Sequence, residues 1–235
     1  MKLLLENWRE YLKEMVEPIT TLRIFDFDET IAHTQSETRV WLPGSSRNEK
    51  PDETLKNQTD FEEFMAKQQV GKDIDSFDPV EDLIKMGYNI DLSDYSIVKK
   101  PEEITIVTDV MREFPEDSKT YIITARRGES IDPILDYLDN INIDSSKVRP
   151  IATQGESKGD VMVQMMKNKI MPNGKSNINK IEYFEDSQRN IDDVLMKICN
   201  NPDLANIKPD GFKLIIHRIY KPKSEDGFAE EIITC

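Results

Sequence analysis

Thr21-Leu22-Arg23-Ile24-Phe25-Asp26-Phe27-Asp28-Glu29-Thr30 begins as a short apolar run and ends in two carboxylates one residue apart, with a hydroxyl two positions further on. The run predicts a buried strand. Alternate residues of an extended chain share a face, so Asp26 and Asp28 can point the same way at, or just past, the strand's carboxyl end. Open α/β sheets bind their ligands at that end. Two carboxylates held close together repel unless positive charge lies between them, and a hard divalent cation with oxygen ligands, Mg²⁺, answers that need. The plain alternative is an acidic turn after a strand.

Three later stretches have related architecture. Tyr121-Ile122-Ile123-Thr124-Ala125-Arg126 is an apolar strand ending in a hydroxyl and backbone amides, donors that suit a phosphoryl oxygen. The planar fork of Arg126 can grip either a phosphate or a neighbouring carboxylate. In Gly155-Glu156-Ser157-Lys158-Gly159-Asp160, Lys158 opens a helix, the end that disfavours cations, which is explained if it reaches inward to a carboxylate and a phosphate. Ile181-Glu182-Tyr183-Phe184-Glu185-Asp186-Ser187-Gln188-Arg189-Asn190 again joins an apolar strand, an acidic pair and a helix. The plain alternatives are a strand-end threonine, a surface lysine and acids that cap a helix.

In this order the four stretches resemble the four motifs of the haloacid dehalogenase (HAD) superfamily, with Asp26-Phe27-Asp28-Glu29-Thr30 as the first. The likeness covers roughly residues 22 to 219. It implies an aspartyl-phosphate mechanism in which Asp26 attacks phosphorus and Asp28 serves as general acid and then base. Thr124 and Lys158 would hold the transferring group, and Thr30, Ala125 and Arg126 would contact substrate. Asp26 and Asp186, with the backbone carbonyl of Asp28, would ligate Mg²⁺, while Glu185 and Asn190 support them from behind. An aspartate at the second acidic position marks phosphatases and phosphotransferases rather than dehalogenases. The pattern also resembles small HAD proteins of tailed phages. Thr124-Ala125-Arg126 is similar to the Ser-Gly-Arg of polynucleotide 3′-phosphatases, which implies a nucleotide or a nucleic-acid 3′ end as substrate. The first motif alone is similar to that of carboxyl-terminal-domain-type protein phosphatases. A non-catalytic module that keeps the fold and docks through its amino-terminal helix is the alternative from another class.

The expected fold is α/β, a three-layer doubly wound (Rossmann-like) parallel sheet of the HAD type with a small cap inserted after the first strand. Strands near 119–124, 147–152, 180–184 and 212–219 alternate with helices near 101–114, 130–138, 158–167 and 188–198, which predicts a parallel sheet covered on both faces. The core comprises 21–34 and 101–235, and the insertion 35–100. Within the insertion we expect a short strand near Ser36–Trp41, a helix from Thr59 or Asp60 to Gly71, and another from Asp78 to Gly87. Leu4, Trp8, Tyr11, Leu12 and Met15 recur at helical spacing, so residues 3–16 read as an amphipathic helix within a 1–20 segment, packed on the domain or docked on a protein partner.

The chain has 235 residues and a formal net charge of −14, which disfavours broad attraction to nucleic acid or anionic membrane. No apolar run approaches the roughly 18 residues of a membrane span. With only two histidines, His33 and His217, the composition argues against a zinc site. Cys199 and Cys235 are far apart in sequence and form no metal-type pair, so a reducing cytoplasm is the default expectation.

Overall fold

The run quoted above forms β1 (Thr21–Phe25), buried at every position. In the computed structural model, which describes residues 19–56, 58–68, 79–221 and 228–235, this strand lies inside the main sheet. The expected helix over 3–16, its docking role and the helix end at Gly71 lie outside the described residues.

After β1 the chain makes β2 (Ala32–His33) and then a small unit of β3 (Thr38–Trp41), β4 (Glu53–Leu55), α1 (Gln58–Lys67), α2 (Pro79–Lys85) and β5 (Asn89–Asp91). In this unit β3 pairs antiparallel with both β4 and β5. Val40, Leu55, Phe61, Phe64, Met65, Leu83 and Ile90 form its own apolar cluster. The short strand foreseen near Ser36–Trp41 is therefore the centre of a three-stranded sheet. A 3₁₀ turn, Ser93–Ser96, leads back to β6 (Glu102–Glu103), which pairs with β2. The helix expected over 101–114 is confined to α3 (Thr105–Met111). Its first residues are instead taken by strand pairing of Glu102 and Glu103 with His33 and Ala32, a long-range contact that outweighs local helix signals.

From α3 onward the chain alternates: β7 (Ser118–Thr124), α4 (Ile131–Asn140), β8 (Val148–Ala152), α5 (Lys158–Lys167), β9 (Lys180–Glu185), α6 (Gln188–Val194), a π-helical turn at Leu195–Cys199, α7 (Pro202–Ala205), β10 (Lys213–Tyr220) and β11 (Ala229–Thr234). The main sheet has the order β11-β10-β9-β1-β7-β8 and is parallel except for β11. Leu22 and Ile24 pack with α5 and α6 residues such as Met162 and Ile191, whereas Phe25 packs with α3 and α4 residues such as Val107 and Leu138. Helices thus cover both faces, as alternation predicts, because a parallel crossover keeps its right-handed sense in either direction along the sheet. Strand order reverses at β1, where the chain first builds outward through β7 and β8 and then restarts at β9. Such a reversal is where open α/β sheets offer a ligand crevice, here at the carboxyl ends of β1 and β9.

Cys199 and Cys235 meet as a disulfide with their Cα atoms 6.2 Å apart. The pairing joins the π-helical turn to the end of β11, and it removes the cysteine-based argument for a reducing compartment. No described helix is long and apolar enough to cross a membrane.

Candidate active site

β1 and β9 run in register, Phe25 opposite Phe184, so Asp26 leaves its strand beside Glu185. The Asp26 amide donates to the Phe184 carbonyl at 2.9 Å, which fixes that level. On the other side, Phe25 lies opposite Ile122 and Thr124 opposite Ala152. Four strand ends therefore bring their following residues to one edge of the sheet.

Lys158 reaches this edge from the first turn of α5. Its Nζ lies 2.7 Å from Asp26 Oδ1 and 2.7 Å from Glu185 Oε2. All three side chains are buried. Ser157 caps α5 by accepting from the Asp160 amide, and Asp193 Oδ2 accepts from Ser157 Oγ at 2.7 Å and the Gly159 amide at 2.9 Å. A hydroxyl and a carboxylate at the helix start thus hold the lysine's backbone in place.

Glu185 is fully engaged. Its Oε2 also accepts from the Tyr183 hydroxyl, and its Oε1 accepts from the Ser187 amide and from Asn190 Nδ2, each at 3.1 Å. Four donors fill the usual acceptor capacity of an ionised carboxylate. Burial raises its proton affinity, but Lys158 and these donors outweigh that and hold the acid below its ordinary range. Lys158 goes the other way: burial works against its charge, yet Asp26 and Glu185 keep it protonated well above the usual lysine range.

Asp26 is the group left short of positive charge. Burial, reinforced by the charge of Glu185, pushes it up to about 7 despite Lys158. One ammonium is shared between two buried carboxylates. Oxygens of Asp26, Glu185 and Asp186 lie within 4.8 Å of one another. Glu185 already accepts four donors, and Asp26 and Asp186 bring further carboxylate oxygens to the same cluster. The all-oxygen donor set fits a hard divalent metal.

Thr124 is buried, and its Oγ1 accepts from the Arg126 amide at 3.2 Å. Its proton has no acceptor among the described residues. Ala125 is exposed at the rim. Thr30 and Arg126, expected to touch substrate, are instead turned into the protein. Thr30 is completely buried and donates to Asp186 Oδ1 at 3.4 Å. Arg126 is buried and grips Asp28, with Nε 2.8 Å from Oδ2 and Nη2 2.7 Å from Oδ1. Of the two roles open to its fork in the sequence, the structure takes the carboxylate. Beyond the ends of β7 and β8, Arg127, Gly128, Glu129 and Gln154 line a shallow depression open to solvent.

Several supports of the site carry little signal in the sequence. Tyr183 stands two positions before Glu185 on the same strand face, and period-two alternation could have linked them. Thr34, Ser36 and Asp193 carry no comparable signal, because only tertiary folding brings them near.

No family model matches the chain, and no curated protein matches it. Among solved structures, the Legionella pneumophila effector Ceg4 is similar in two forms. The form with an N-terminal TEV protease cleavage sequence is 15% identical with a TM-score of 0.41, over 88% of this chain and 89% of that one. The form with an N-terminal yeast Hog1p sequence is also 15% identical, with a TM-score of 0.38, over 88% of this chain and 90% of that one.

Proposed function

We propose that the chain is a Mg²⁺-dependent phosphomonoester hydrolase of the HAD type, its small three-stranded unit serving as the cap. The observation that carries this reading is Asp26, buried beside Lys158 and within reach of Asp186, at the crevice where strand order reverses. A phosphomonoester is dianionic, so a carboxylate can approach phosphorus only where positive charge is supplied. Lys158 provides part of it. The cation, held by Asp26 and Asp186, would supply the remaining charge stabilisation.

Asp26 attacks phosphorus and forms an aspartyl-phosphate. The bond from phosphorus to the leaving oxygen breaks, and that oxygen takes a proton from Asp28. Asp28 then accepts a proton from water as its oxygen attacks the same phosphorus. The Asp26–phosphorus bond opens, returning the carboxylate and inorganic phosphate. Thr124 donates to a transferring oxygen, a reading supported by its buried hydroxyl at the end of β7. Nucleotides and 3′-phosphorylated oligonucleotides head the substrate panel, as the likeness of Thr124-Ala125-Arg126 to the Ser-Gly-Arg of polynucleotide 3′-phosphatases implies.

The test is hydrolysis of 4-nitrophenyl phosphate. We expect turnover that needs Mg²⁺, stops with a chelator and falls at least ~1000-fold in Asp26→Asn, since loss of a covalent nucleophile removes the whole route. Turnover unchanged in Asp26→Asn would reject the mechanism.

A further inference from the structure

Asp28 and the three-stranded unit meet through a single guanidinium. Arg126 donates from Nη1 to the carbonyls of Tyr95 at 3.0 Å and Ile97 at 2.6 Å, at the 3₁₀ turn that leads out of that unit. Its Nη2 also reaches Thr34 Oγ1 and Ser36 Oγ, each at 3.2 Å, where the chain enters it. The Phe27 and Tyr95 rings lie 5.2 and 5.3 Å from the guanidinium carbon, adding cation–π contact. Every nitrogen of the fork is therefore committed inside the protein, and none is left for a substrate phosphate.

The two oxygens of Asp28 are treated unequally. Oδ1 accepts from Arg126 Nη2 at 2.7 Å and from Thr34 Oγ1 at 2.8 Å. Among the described residues, Oδ2 accepts only from Arg126 Nε, at 2.8 Å. A carboxylate oxygen takes about two donors, so Oδ1 is full and Oδ2 keeps one position. The guanidinium plane also fixes the direction of that position, because a bidentate pair sets both distance and rotation.

We propose that Arg126 is a positioning residue: it locks Asp28 and the turn Ser93–Ser96 into one unit, so that Oδ2 of Asp28 is the atom that exchanges the proton. This rests on the hydrolase reading above. Proton transfer to the leaving oxygen then depends on the seating of the three-stranded unit, whose exit turn holds the guanidinium through the Tyr95 and Ile97 carbonyls and the Tyr95 ring. A lysine at position 126 keeps a charge but cannot span both oxygens of Asp28 and the two carbonyls.

The experiment compares kcat/KM, which reports steps up to loss of the leaving group, for 4-nitrophenyl phosphate and phenyl phosphate with Mg²⁺. The first ester leaves readily without a proton and the second does not. We expect Arg126→Lys to lose ~100-fold or more on phenyl phosphate and under ~10-fold on the nitrophenyl ester, as loss of general acid assistance predicts. Thr34→Val, which removes one donor to Oδ1, should shift the ratio the same way by ~5-fold. The ratio is measured within one preparation, so misfolded material cancels, and if Arg126→Lys does not fold, Thr34→Val decides. Equal losses on both esters, or no loss on either, overturn the positioning role while leaving the hydrolase intact. A wild-type protein inert toward both esters overturns the hydrolase reading and the positioning role together.

Discussion

Asp26 carries a stability signature as well as a chemical one. Its proton affinity in the folded chain, raised to about 7 by burial and then by Glu185, exceeds the ordinary 3.8. The folded state therefore holds a proton that the unfolded state has released, and stability declines as pH rises from about 4 through about 7. Burial raises Glu29 in the same direction. Without metal, we expect the melting temperature to fall between pH 5 and pH 8, by roughly 2–4 °C for each kcal/mol involved. Asp26→Asn should flatten that slope. Mg²⁺ should stabilise more at pH 8 than at pH 5, because protons and cation compete for one carboxylate. A melting profile as steep in Asp26→Asn as in the wild type would contradict this account. Much of the residue-level arrangement was legible: Asp26, Lys158, Glu185 and Asp186 converge as their spacing and strand ends imply. Which of its two possible partners the fork of Arg126 would take was not legible, since a guanidinium near a strand end can turn inward or outward, and the contacts with Tyr95, Thr34 and Ser36 form only in the folded chain.

At the scale of elements, the start of α5 is where the site is most sensitive to packing. A Cβ on Gly159 would come within 2.9 Å of Asp193 Oδ2 and of Lys197 Cγ. We expect Gly159→Ala to destabilise by about 1–3 kcal/mol and to lower kcat by displacing Lys158. Asp193→Asn, which retains one acceptor but loses charge at the helix start, should be milder. Melting curves and turnover measured together test both. The alternation of strands and helices after residue 100 was readable because each strand is a compact apolar run beside turn residues. The unit between β2 and β6 was less readable, because β4 and β5 have three residues each, too few for periodicity to speak. β11 escaped for another reason: its residues are largely exposed, and its place comes from pairing with β10 rather than from a buried stripe.

For the whole molecule, the disulfide closes a loop across a separation of 36 residues that contains α7 and β10. In the chain-entropy treatment a loop of that length is worth about 3–4 kcal/mol, so Cys235→Ser should lower the midpoint of denaturant unfolding without changing the overall fold. Circular dichroism and urea titration under oxidising and reducing conditions would show it, and equal midpoints would refute it. The margins of the main sheet carry a different consequence. β8 ends the sheet on one side and contains Pro150, which has no amide hydrogen to give, beside the exposed Arg149. β11 ends it on the other with exposed Glu230 and Glu231. A lateral neighbour would meet a missing donor at the β8 border, which therefore resists strand addition, whereas Glu230 and Glu231 on β11 are already paired with His217 and Arg218. Fibrillar aggregates in crowded solutions of this protein should therefore not grow from its β8 border.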